Sequence, residues 1–214
     1  MRVRLLFALF ALAVTSLTRA ATAELTVTVK GAAKGEPVAD AVVSLIPLDG
    51  AVVPPPAADG EIAQQDQEFS PYVTIVQVGS KIVFPNRDKV QHHVYSLSKT
   101  KKFELPLYNP GQAESIVFET AGLVTLGCNI HDWMLAYIVV VPTPWFAKSN
   151  ALGLASVTAP AGRYRLEVWH PRLAALATQE ITLAGDEHAK REFSLTLKPD
   201  RRIRRSGTTK SGGY

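Results

Sequence analysis

Apolar and polar residues alternate along "ELTVTVK" (Glu24 to Lys30), and the same two-residue period returns through most of the chain. A period of two puts successive side chains on opposite faces of an extended strand. "AVVSLIPL" (Ala41 to Leu48) follows a turn containing Gly and Pro, and "YVTIVQV" and "KIVF" flank Gly79-Ser80, a hairpin signal. "HVYSLS", "SIVFE" and "LVTLG" continue the pattern, and "LAYIVVV" (Leu135 to Val141) is apolar enough for a sandwich core. "YRLEVW", "QEITLA" and "REFSLTL" close the series. No stretch holds a helical period for three turns. The expected fold class is all-β, of the sandwich type.

Two breaks organise these strands. "AVVPPPAADG" (Ala51 to Gly60) reads as a proline-rich connector, and "VPTPWFAKSNALG" (Val141 to Gly153) as a second. A pair of N-terminal strands buries too little to be stable alone. They are expected to pair with the C-terminal ones, giving a discontinuous sandwich of residues 24–50 and 143–199 with a second sandwich, 61–142, inserted into it. A plain tandem order is the alternative.

The N-terminus changes where this fold should be found. Arg2 and Arg4 precede the apolar run Leu5 to Val14, and Ala21-Thr22-Ala23 has the small-x-small form of a leader cleavage site. A membrane span needs roughly 20 apolar residues, more than this run offers. Residues 1–23 are therefore expected to be a cleaved signal peptide and the product periplasmic, with no integral membrane span.

Charge alters the picture less than the total suggests. Five cations (Arg201, Arg202, Arg204, Arg205, Lys210) sit in the tail 200–214, which is expected to be disordered. Residues 24–200 carry 15 basic and 19 acidic side chains, which argues against a nucleic-acid partner.

The chemistry concentrates in "GCNIHDWM", Gly127 to Met134. It holds the chain's one cysteine and one of its two methionines, with a histidine between them. A lone thiol in an oxidising compartment is a liability unless buried or ligated. Cys128, His131 and Met134, spaced C-x₂-H-x₂-M between two strands, supply a thiolate, an imidazole and a thioether. One further imidazole completes the His₂Cys-plus-Met set that suits copper. "VQHHV" offers His92 and His93. Neighbouring strand residues face opposite ways, so one of the two should point at the metal, and periodicity does not say which.

Resemblance adds a choice. "NRDKVQHHV" and "GCNIHDWM" resemble the ligand segments of the cupredoxins, the plastocyanin and amicyanin family, across about Gln64 to Pro142. The likeness extends to exported proteins described as methylamine-utilisation or plastocyanin-like. It implies a Greek-key sandwich holding one type 1 copper on His92, Cys128, His131 and Met134. His93 then stands at a position usually held by asparagine, and His93, Asn129 and Trp133 are expected around the ligands. Phe84, Phe118, Ile130 and Trp133 are expected to form the apolar shell. Asp132 and Trp133 replace the apolar residues of amicyanin-type loops. "GEPVADAVVSLIPL" and "APAGRYRLEVWHP" resemble the two halves of a carboxypeptidase-regulatory-like (transthyretin-like) sandwich.

The expected function is one-electron transfer with a redox protein, such as a cytochrome c or a periplasmic dehydrogenase. Catalysis is not expected: Gly127 and Asn129 flank the cysteine where a multicopper oxidase needs histidines, and no second cysteine is present for a binuclear site. Two alternatives use the same sequence: a copper carrier or scavenger, and a scaffold whose outer sandwich carries the function.

Overall fold

The computed structural model describes residues 21–200, so residues 1–20 of the expected leader and residues 201–214 of the expected tail lie outside the described residues. The chain begins with β1 (Thr22–Gly31) and β2 (Val42–Pro47). Ten strands follow: β3 (Gly60–Glu61), β4 (Ala63–Gln65), β5 (Glu68–Ser70), β6 (Val73–Gln77), β7 (Lys81–Pro85), β8 (His92–Leu97), β9 (Lys102–Tyr108), β10 (Ala113–Val117), β11 (Gly122–Cys128) and β12 (His131–Val141). Then come β13 (Phe146–Lys148), β14 (Leu154–Pro160), β15 (Gly162–Trp169), β16 (Ala177–Leu183) and β17 (His188–Leu195). No helix occurs among the described residues, and the fold is all-β.

The first two strands pair with the last five. β1 lies between β14, antiparallel, and β17, parallel, while β2 lies between β13 and β15 in the order β13-β2-β15-β16. The alternation in β1 sends Leu25, Val27 and Val29 inward, where they meet Val43, Leu45, Tyr164 and Leu166 in one apolar core. Each such side chain contributes about 1.5–3 kcal/mol on burial.

β3 to β12 build a second core. A five-stranded sheet, β6-β12-β11-β8-β9, faces a three-stranded one, β10-β7-β3, with the β4–β5 hairpin at one end. Ile82, Phe84, Phe118, Val124, Leu126 and Ile138 fill the space between, and Cys128 and Met134 belong to the same cluster. The two cores touch through an edge-on ring contact of Tyr137 with Trp169, 5.6 Å between centroids. Lys148 also reaches across, donating from Nζ to the Val73 carbonyl at 2.9 Å.

Four local expectations are corrected. Gly79-Ser80 does not close a hairpin: β6 pairs with β12 and β7 with β10, so this turn is a corner between sheets. A turn signal specifies a change of direction, not the partner of the strands beside it. The second connector carries its own edge strand, β13, which pairs with β2 and is backed by the buried Trp145. "LASVTAP" forms β14 against β1, a strand absent from the expected series. β1 starts at Thr22 rather than Glu24, and Ala23 is buried opposite Ala159, inside the stretch assigned to the leader.

Candidate metal centre

The site grows out of one irregular hairpin. β11 and β12 pair regularly from Gly122↔Val140 to Gly127↔Leu135, and then the register jumps so that Cys128 stands opposite His131. Asp132, Trp133 and Met134 bulge out of the ladder, and bulges re-aim side chains. His131 is thus the first residue of a strand, and Met134 lies inside it, where the sequence suggested a loop and a strand start.

His92 comes from the first position of β8, which pairs with β9 and through Tyr95↔Gly127 with β11. Strand alternation separates the two candidate histidines. His92 is fully buried (0% exposed) and lies 3.9 Å, through Nδ1, from the Cys128 sulfur. His93 turns to the other face, near Tyr95 (5.8 Å between rings), and its Nε2 meets Glu104 Oε1 at 2.8 Å. The Nδ1 of His131 lies 3.5 Å from the same sulfur. The three donor atoms of His92, Cys128 and His131 all fall within 4.8 Å of one another. Met134 is buried in the same apolar cluster as Cys128, and both line a cleft of about 540 Å³ on the sheet face.

This donor set fits a first-row metal. Bonds of about 2.3 Å to thiolate and 2.0 Å to imidazole, as zinc makes, leave sulfur and nitrogen about 3.5 Å apart at a tetrahedral angle and about 3.7 Å at a trigonal one. The observed 3.5 and 3.9 Å sit beside those values.

The electrostatics agree with a site that wants a cation. Burial pushes the His92 imidazolium down, but its bonds to Cys128 and Asp88 outweigh this and raise it above 6.5. Burial likewise pushes the Cys128 thiol up. His92 and the backbone N–H groups of His93 and Ile130 outweigh it, and the thiol titrates below 9.0.

The surrounding residues depart from expectation in instructive ways. Phe84 and Phe118 are buried in the core that holds Cys128. Ile130, expected in the shell, is 47% exposed, and Asn129 is exposed beside it in the two-residue turn. In so short a turn both side chains must project outward while the Ile130 N–H reaches the sulfur. His93 also acts through its backbone. Trp133 packs 5.2 Å from the His131 ring and donates its Nε1–H to the Gln67 carbonyl at 2.9 Å. Asp88, not among the expected site residues, accepts from His92 Nε2 at 2.7 Å. The signal for it was present: a carboxylate four residues before a candidate ligand; in the fold the Asn86 Oδ1 accepts the Asp88 N–H at 3.0 Å and fixes that loop.

No family model matches the chain, and no curated protein matches it. Among solved structures it is similar to a purple cupredoxin from Nitrosopumilus maritimus, with 26% identity over 38% of this chain and 99% of that one and a TM-score of 0.35. It is also similar to a Cu(I) form of an amicyanin mutant, with 20% identity over 47% of this chain and 98% of that one and a TM-score of 0.36. A copper-containing nitrite reductase from Thermus scotoductus SA-01 gives 20% identity and a TM-score of 0.37 over 45% of this chain, which spans 25% of that enzyme.

Proposed function

We propose that the protein is an exported one-electron carrier holding one copper on His92, Cys128, His131 and Met134, and that it is not an enzyme. The observation that carries this reading is the convergence of a buried cysteine sulfur and two imidazole Nδ1 atoms within 4.8 Å, walled by an apolar core. Bound copper would supply the redox couple, Cu(I) and Cu(II).

The chain's own residues supply everything else. Cys128 offers its sulfur, and His92 together with the backbone N–H groups of His93 and Ile130 favours its thiolate form. Asp88 takes the His92 Nε2–H and so leaves the Nδ1 lone pair facing the sulfur. Phe84, Phe118 and Leu126 keep water from the buried side. His131 is half-buried at the rim, which gives electrons a short path to a docked protein. The partner in this reading is a redox protein of the cytochrome c or dehydrogenase class.

The same reading treats the chain as two units, a discontinuous outer sandwich of 24–50 and 143–199 around a central 61–142. Two separate buried clusters and two separate sets of sheets support it. Export rests on the leader-like residues 1–23, and N-terminal sequencing of the periplasmic fraction tests it.

The test of the copper reading is spectroscopic. Cu(II)-loaded protein should show an intense thiolate-to-copper band and narrow copper hyperfine splitting, both absent in Cys128→Ser. Colourless protein, or ordinary square-planar copper signals that survive the substitution, would remove it.

A further inference from the structure

The histidine ligand and the cysteine loop come from sequence positions far apart, and His93, the neighbour of His92, faces away toward Glu104. What joins them here is a turn from a third place. Asp66 and Gln67 form the two-residue tip of the β4–β5 hairpin, both with φ of 57°. Such a turn suits Asn-Gly; an Asp-Gln pair adopts it only when its surroundings hold it there.

Those surroundings are the two ligand loops. On one side Asp88 Oδ1 accepts the Asp66 N–H at 2.6 Å, and Oδ2 accepts the Gln67 N–H at 2.9 Å as well as His92 Nε2 at 2.7 Å. All three neighbours of this carboxylate are donors, and its side chain is only 12% exposed. On the other side the Gln67 carbonyl takes the Trp133 Nε1–H at 2.9 Å. The base of the hairpin is fastened to the same histidine loop, where Arg87 N–H donates to the Gln64 carbonyl at 2.9 Å.

We infer that the Asp66–Gln67 turn is a strap joining the two ligand loops, with Asp88 and Trp133 as positioning residues for His92 and for the Cys128–Met134 loop. The strap deepens the copper reading and rests on it for its function. A ligand frame tied on both sides moves little when the metal changes charge, which a carrier requires. It also gives a reason for Trp133 in that loop: no apolar side chain could donate to Gln67.

One measurement needs no metal. Amide hydrogen exchange at Asp66 and Gln67 is compared in full-length metal-free protein and in Trp133→Phe. Both amides are bound to Asp88, not to Trp133, so their exchange should quicken several-fold only if the indole holds the turn from the far side. Unchanged protection overturns the strap, whatever becomes of copper. The second measurement is Cu(II) affinity for Asp88→Asn, Trp133→Phe and the pair. Each single change should weaken binding on the order of 10–100-fold, as loss of an outer hydrogen bond does. The pair should lose clearly less than the product of the two, because a strap is released only once. A full product, or no loss in either single variant, overturns the coupling. Gln67→Asn keeps both backbone bonds and suits positive φ, so binding should stay within about twofold. A loss as large as that of Trp133→Phe would place the role in the Gln67 side chain and overturn the strap.

Discussion

Gly127 shows how closely the site is fitted at the scale of one residue. A Cβ there would stand 2.8 Å from Cζ and 2.9 Å from Oη of Tyr95, which lies across the backbone next to Cys128. Gly127→Ala should therefore cost about 1–3 kcal/mol, the usual range for overpacking, and Tyr95→Leu in the same chain should recover part of it. Urea unfolding of the single and double variants measures both. Titration gives a second prediction. The folded Cys128 is held below 9.0, so its stabilising contribution is full above the unfolded-state value and fades as pH falls through the folded one. His92 is raised above 6.5, so its contribution is full below that value and fades as pH rises through the folded one. In metal-free His92→Gln the ultraviolet thiolate band of Cys128 should appear at higher pH than in the parent protein. A band that does not move would separate the two groups.

At the scale of elements, alternation made β1, β15 and β17 legible, because a period of two needs nothing beyond the chain itself. Residue types and spacing likewise made Cys128, His131 and Met134 stand out as a set. Partners were another matter. Gly79-Ser80 looked like a hairpin, and only the closure of two facing sheets turned it into a corner. The bulge that lifts Asp132 to Met134 out of register leaves no mark in composition. The Trp133 contact was hidden because its acceptor is a main-chain carbonyl, which every residue possesses. Gly153 offers a check on the outer sheets. It has φ of 72°, and a Cβ would sit 2.4 Å from the Val29 carbonyl oxygen. Gly153→Ala should destabilise the β1–β14 sheet by at least about 1 kcal/mol, while the copper spectrum stays unchanged. A variant with parental unfolding and an altered spectrum would contradict the separation of the two cores.

The whole molecule carries two apolar clusters joined by few contacts, among them Tyr137 on Trp169 and Lys148 on Val73. Calorimetry should resolve two transitions, with copper raising only the one that belongs to β3 to β12. At a thousandfold excess over the dissociation constant that gain is about 4 kcal/mol. If both transitions shift together, the cores unfold as one. The parallel pairing of β1 with β17, Glu24↔His188 through Gly31↔Leu195, has a consequence in time rather than in energy. Synthesis from the N-terminus delivers β1 before β3 to β12, and β17 after them. Through that interval the apolar face of β1 has no lasting mate, although the sheets of β3 to β12 already have all their strands. Newborn molecules therefore pass through a stage with β3 to β12 finished and β1 still sticky, and their yield depends on how long that strand is kept from its neighbours.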